Sequence, residues 1–354
     1  MNRQSKVTMR RPAWLKSLSV AAFLSSAIGL LSSCAELKAG LTSRDSLAEG
    51  RASSPGAFYS EDYIVHKLRS GENPEILASL FLGNKGRSWV IEEANRGVLF
   101  EEGQWVVIPL KEEKGGLRRD GYQVVPVLCY HRFAETCDAS LCTPTELFER
   151  QMAYLEKNGY KVISMAELLD FLNYRRSIPQ KAVVITMDDG YSSAYEIAFP
   201  ILKKHGFTAT LFVYTDFVGA SKSAITWDQL RTMKSAGFEI GSHSLSHCDL
   251  TKKKEGEGDD AYQVRVRKEL FLSKRILDEK LDQTTIYLAF PYGEFDERLL
   301  AFCDEAGYRL GFSVKQGGNP FFSNPLSLKR EQILKKDIDH FVAKLRTFHE
   351  FPVP

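Results

Sequence analysis

From about residue 124 onward, short apolar runs alternate with stretches of helical period. The strand-like runs lie at 124–130, 182–186, 208–214, 238–241, 285–290 and 308–314. Between them, apolar positions recurring at three and four residues predict helices at 145–157, 165–175, 194–205, 226–236, 262–281 and 297–306. Gly206, Gly237 and Gly307 close three of these helices, as expected where the chain turns left-handed at a C-cap. Runs apolar throughout, such as Ala182-Val183-Val184-Ile185, are buried on both faces, which belongs to parallel sheets. The repeated order predicts an α/β fold of parallel strands covered by helices. In such folds reactive groups collect at the C-terminal ends of the strands.

Upstream, a shorter α+β unit is expected. Strand patterns at 63–65 and 103–109 enclose a helical stretch at 73–82, with Ile76, Leu77 and Leu80 on one face, and a second at 88–95. Residues 35–62 are rich in Ser, Ala, Gly and charge without periodicity and read as a flexible tether. The glycine- and charge-rich 111–123 reads as a linker. At the start, Arg3, Lys6, Arg10, Arg11 and Lys16 precede an apolar run at 18–31, a secretory signal layout rather than a membrane span. The expected organisation is a signal peptide at 1–33, a tether at 34–62, the small unit at 63–110, a linker at 111–123 and the α/β domain at 124–350.

A chain of 354 residues has room for about two domains. Its net charge of +2, with no aromatic-studded basic stripe, argues against nucleic acid as a partner, and a monomer is expected. Export would expose the cysteines to an oxidising compartment, where Cys137 and Cys142 are the expected pair. Cys129 and Cys303 fall in apolar patterns and read as small hydrophobes.

Two clusters carry chemistry. Thr186-Met187-Asp188-Asp189-Gly190 follows one buried strand, and Ser242-His243-Ser244-Leu245-Ser246-His247 follows another. Adjacent carboxylates are rarely buried without partners. Asp189, His243 and His247 together offer one oxygen and two nitrogens, suited to zinc or a similar divalent ion with a position left open. Asp188 then stands beside the ion, free to accept a proton. His131 ends the first strand at the same mouth, whereas His66, His205, His340 and His349 fit surfaces or helix ends.

These residues resemble a known family. Thr186 to Gly190 resembles the Thr-Phe-Asp-Asp-Gly motif of polysaccharide deacetylases, carbohydrate esterase family 4, and His243 to His247 resembles their His-x-x-x-His motif. The resemblance implies a distorted (β/α) barrel, Asp188 as general base, Asp189, His243 and His247 as ligands of a divalent metal such as zinc, and removal of acetyl groups from an N-acetylglucosamine-containing glycan. The family's Arg-x-Pro-Tyr motif appears as Ala289-Phe290-Pro291-Tyr292. Tyr292 therefore keeps the implied oxyanion-stabilising N–H, but the arginine that orients the base is lost, and another residue must hold Asp188. The late Leu-x-His motif of the general acid is absent, since 328–334 has no histidine. Pro126-Val127-Leu128-Cys129-Tyr130-His131 and Phe290-Pro291-Tyr292-Gly293 resemble the branch acting on poly-N-acetylglucosamine, with His131 as a further catalytic residue that supplies or positions the acid.

Residues 63–110 resemble a LysM module, through Ile76-Leu77-Ala78 and Gly103 to Pro109, with Gly71-Glu72 where Gly-Asp is usual. That implies glycan binding. Leu31-Ser32-Ser33-Cys34 resembles the bacterial lipobox, which implies a lipid on Cys34 and a cell-envelope lipoprotein held on a membrane, the outer membrane favoured. Two alternatives stand beside this reading: a peptidoglycan deacetylase, and an inactive glycan-binding protein that has lost the arginine and the late histidine.

Overall fold

The computed structural model describes residues 57–59, 63–111, 116–118, 121–334 and 337–350. Cys34, the signal-like run and most of the expected tether lie outside them. The described residues fall in one compact unit, Gly56–Pro354. No described helix is long and apolar enough to cross a membrane.

At its start, β1 (Ala57–Tyr59) pairs antiparallel with β2 (Tyr63–Lys67). Helices α1 (Pro74–Leu82) and α2 (Ser88–Ala94) follow, and β3 (Trp105–Pro109) returns antiparallel to β2. β1 lies inside the stretch read as tether, where its three residues carry too little pattern to be seen as a strand. The core of this unit is Ile64, Leu68, Leu77, Ala78, Ile91, Val106 and Ile108. The expected face of α1 was misassigned: Ile76 and Leu80 are 42% and 65% exposed, while Leu77 and Ala78 are buried. The helix carries two apolar stripes, and the one formed by Leu77, Ala78, Phe81 and Leu82 turns to the sheet. His66 is likewise not a surface residue, because its side chain is buried and its Nε2 lies 2.6 Å from Glu72 Oε2.

The expected linker also contributes structure. β4 (Leu117–Arg118) and β5 (Gly121–Gln123) pair antiparallel, and β5 takes the C-terminal strand Phe348–Glu350 on its other edge.

The α/β domain then runs β6 (Val127–Tyr130), β7 (Arg132–Ala134), β8 (Cys142–Pro144), α3 (Thr145–Lys157), β9 (Lys161–Val162), α4 (Met165–Leu172) and β10 (Ala182–Asp189). It continues with α5 (Phe199–Lys204), β11 (Thr210–Val213), α6 (Trp227–Ser235), β12 (Glu239–Ser242), α7 (Asp259–Leu281) and β13 (Tyr287–Ala289). It ends with α8 (Glu297–Glu305), β14 (Leu310–Phe312), β15 (Glu331–Gln332) and α9 (Ile338–Ala343). The order β14-β13-β12-β11-β10-β6-β15 is parallel throughout. The segment leading into β15 closes the ring. Leu328 bridges Phe312 in parallel, and Glu331 pairs with Leu128, so this one segment touches both ends of the path. The result is a distorted barrel of parallel strands. Cys137 and Cys142 form a disulfide across the β7–β8 connection.

Strand alternation decides what faces inward. On β10, Val183, Ile185 and Met187 pack outward with Phe148, Met152, Leu230, Met233 and Leu277 of the covering helices. Ala182, Val184, Phe212 and Phe312 belong to the interior cluster, which α4 completes with Met165, Leu168 and Phe171. This helix lies at the N-terminal end of the barrel, where the Met165 N–H donates to Glu239 at the start of β12. The C-terminal end is left open.

Candidate active site

The same alternation aims Thr186 and Asp188 of β10 inward, with Cys129 of β6 beside them. His131, two residues past Cys129, keeps that phase, and His243 does so after Gly241 on β12. Gly241 is required where it stands, because a Cβ there would come within 2.5 Å of the Phe212 ring.

Asp189 breaks the phase. Neighbours on a strand face opposite ways, yet Asp189 has φ +77° and stays at the mouth with Asp188. Of the six non-glycine residues with positive φ among those described, Ser244, His247 and Tyr292 also lie here, at +70°, +60° and +60°. Such conformations cost about 1–3 kcal/mol each and persist where surrounding contacts impose them.

Asp189, His243 and His247 form one group of possible ligands, their donor atoms within 4.8 Å of one another. Asp189 Oδ1 lies 3.5 Å from His243 Nε2 and 3.3 Å from His247 Nε2. These spacings exceed a charge-assisted hydrogen bond. They match the edge of about 3.4 Å of a tetrahedron with bonds of about 2.1 Å, so the residues fit a zinc-sized ion. His243 Nδ1 donates to the Ala289 carbonyl at 2.8 Å, which fixes the tautomer and leaves Nε2 for the ion. The His247 ring is flanked by Tyr214 and Tyr292, at 5.2 Å and 4.8 Å between centroids.

Asp188 is held by a residue the sequence reading missed. Arg330, fully buried in the segment that closes the barrel, donates Nη1 to Oδ1 and Nη2 to Oδ2, each at 2.7 Å. Its Nε donates to the Ser313 carbonyl at 2.9 Å. The orienting arginine absent at Ala289 is thus supplied from 41 positions later in the chain (330 − 289). Cys129, expected as a packing residue, instead brings Sγ to 3.6 Å from Asp188 Oδ2.

Burial alone would raise the Asp188 carboxyl, but the Arg330 guanidinium outweighs it and holds the group below the ordinary carboxylate range. For Asp189, burial is overcome by the two imidazoles, and its carboxyl is also lowered. Burial would lower His243, yet Asp188 and Asp189 raise it. At His131 burial prevails and lowers the imidazole against the pull of both carboxylates. Cys129, His131 and Asp188 form a second cluster with potential ligand atoms within 4.8 Å. The guanidinium spanning both Asp188 oxygens opposes a cation there.

The structure therefore brings together His131, Asp188, Asp189, His243, His247 and Tyr292, and leaves only Cys34 outside the described residues. A triad able to hold a metal ion, beside a clamped carboxylate, can support hydrolysis.

A family model described as polysaccharide deacetylase matches residues 175–311, which lie within the α/β domain. The Bacillus subtilis (strain 168) protein YxkH, whose name makes it a candidate polysaccharide deacetylase, is 31% identical over 193 residues, covering 54% of this chain and 65% of the relative. A poly-beta-1,6-N-acetyl-D-glucosamine N-deacetylase of Staphylococcus aureus (strain MRSA252) is 28% identical over 210 residues, 57% of this chain and 71% of that protein. Among solved structures, a Streptococcus pyogenes deacetylase in complex with acetate superposes with a TM-score of 0.58 at 27% identity, covering 64% of this chain and 99% of the other. IcaB from Ammonifex degensii gives 0.55 at 26% identity, covering 64% and 96%.

Proposed function

We propose that this protein hydrolyses N-acetyl groups of an N-acetylglucosamine polysaccharide, of the poly-β-1,6-linked exopolysaccharide type. The observation that carries the reading is the Asp188 carboxylate, clamped by Arg330 beside the Asp189, His243 and His247 triad. The similar Staphylococcus aureus protein, named for that polymer, supports the substrate class.

Asp189, His243 and His247 would hold a divalent ion, taken as zinc, which when bound supplies Lewis-acid polarisation and makes water more acidic. Asp188 accepts the proton of the attacking water, since its Oδ1 keeps a lone pair beyond the one Arg330 uses. The Tyr292 N–H donates to the developing oxyanion. As the C–N bond breaks, the proton taken by Asp188 must reach the amine nitrogen. We assign its transfer to His131, within 4.8 Å of Asp188.

The inactive reading rested on the missing arginine and the missing late histidine; Arg330 supplies a cation for the first role, and we assign the second to His131. From sequence resemblance alone, we assign a glycan-binding role to residues 63–110 and a lipid anchor to Cys34, making the protein a monomeric cell-envelope lipoprotein. Acetate release from glucosamine-polymer oligomers, measured with and without chelator, tests the core of the reading. Wild-type rates in Asp188→Asn or in metal-stripped protein would refute it.

A further inference from the structure

The two histidine ligands flank a loop, 244–246, whose backbone is held from outside the motif. Glu269 is buried on α7, 22 positions past His247 (269 − 247). Its Oε2 accepts from the Leu245 N–H at 3.0 Å and the Ser246 N–H at 2.9 Å, and its Oε1 accepts from the Ser246 hydroxyl at 2.7 Å. The bracing continues on both sides. The His247 N–H donates to Ser244 Oγ at 3.0 Å, the Asp216 N–H donates to the Leu245 carbonyl at 2.9 Å, and Ser242 Oγ meets Ser273 Oγ of α7 at 3.0 Å. Ser244 and His247 both have positive φ, so this loop is conformationally costly and needs external contacts to keep its shape.

We infer that Glu269 is a positioning residue for the metal site, setting where the His247 imidazole stands relative to His243. It touches neither ligand ring. It acts by fixing the backbone between them. A surface carboxylate would add little. A buried one with three donors converging on it holds the loop in one register, because releasing it would leave the buried Leu245 N–H and the part-buried Ser246 N–H without this acceptor. The inference rests on the proposed function only in taking Asp189, His243 and His247 as ligands.

The test is zinc affinity, measured by chelator competition on full-length protein without substrate. Both N–H donors go to one oxygen and the third partner is a hydroxyl that can reverse, so Glu269→Gln should bind zinc within about threefold of wild type. Glu269→Asp keeps the charge but withdraws it by one methylene, and Glu269→Ala removes it. Each should weaken zinc by roughly 10–100-fold, Ala more than Asp. Leu277→Ala is the control, since Leu277 is buried on the same helix two turns past Glu269, packed in the outer core cluster. It should lower thermal stability and leave zinc affinity unchanged. If Glu269→Ala fails to fold, the Asp and Gln pair decides. Equal zinc affinity in those two variants, or an equal loss in Leu277→Ala, would overturn the inference. A wild-type protein that binds no zinc would instead refute the proposed function.

Discussion

Replacing Arg330 with Met removes a guanidinium that is fully buried and whose partner, Asp188, is 3% exposed. Two charge-assisted hydrogen bonds at 2.7 Å disappear with it. Breaking a buried pair from one side costs about 3–5 kcal/mol, because the surviving charge has no water to return to. At about 2–4 °C per kcal/mol for a domain of 150–250 residues, the melting temperature should fall by roughly 6–20 °C. Asp188→Asn strands the opposite charge and should also destabilise. The informative protein is the double variant, R330M/D188N, in which neither charge remains. It should be more stable than Arg330→Met alone, giving a coupling energy of several kcal/mol in the thermodynamic cycle. Arg330→Lys keeps the charge but not the two-pronged geometry, so it should recover stability better than it recovers acetate release. Denaturant unfolding of the wild type and the four variants, followed by rate measurements on the folded ones, is the assay. Additive losses in the cycle, or a fully active Arg330→Met, would refute the reasoning that the pair acts as a unit.

Stripping the divalent ion should abolish acetate release, and readding zinc should restore it, with a rise in melting temperature as the ion binds the folded state; recovery without added metal would count against the assigned ligands. Gly241→Ala should cost about 1–3 kcal/mol, since its Cβ meets the Phe212 ring at 2.5 Å, and Phe212→Leu in the same chain should recover part of the loss in unfolding experiments. The Cys137–Cys142 disulfide closes only a short loop, so C137S/C142S should lose about 2 kcal/mol or less while acetate release is unchanged.

What could be read from the chain beforehand follows the strength of each local pattern. Thr145–Lys157 has strong helical periodicity, and the structure keeps both of its expected ends. The unbroken run Ala182-Val183-Val184-Ile185 announces a strand buried on both faces, and its residues alternate between the two core clusters. Asp188 and Asp189 could be found as a pair, but their shared orientation depends on the +77° φ of Asp189, which no alternation rule predicts. Arg330 was invisible for a different reason. Leu328-Lys329-Arg330-Glu331-Gln332-Ile333 has the composition of a surface loop, and only tertiary pairing with β6 and β14 makes it part of the barrel. The α1 face was misread because a short helix with two apolar stripes offers two solutions. Packing against β2 and β3 selects between them.

The ring-closing segment has a consequence for the order in which this protein becomes competent. During synthesis, Asp188, Asp189, His243 and His247 all emerge before Arg330. A chain lacking residues beyond 327 would still contain every proposed metal ligand, yet it would lack both the last staves of the barrel and the cation that steadies the base. Arg330 cannot reach Asp188 until Leu328 and Glu331 have docked on their neighbours. On the proposed function, catalytic readiness is therefore tied to completion of the domain, because the residue that steadies the base is synthesised after every proposed ligand.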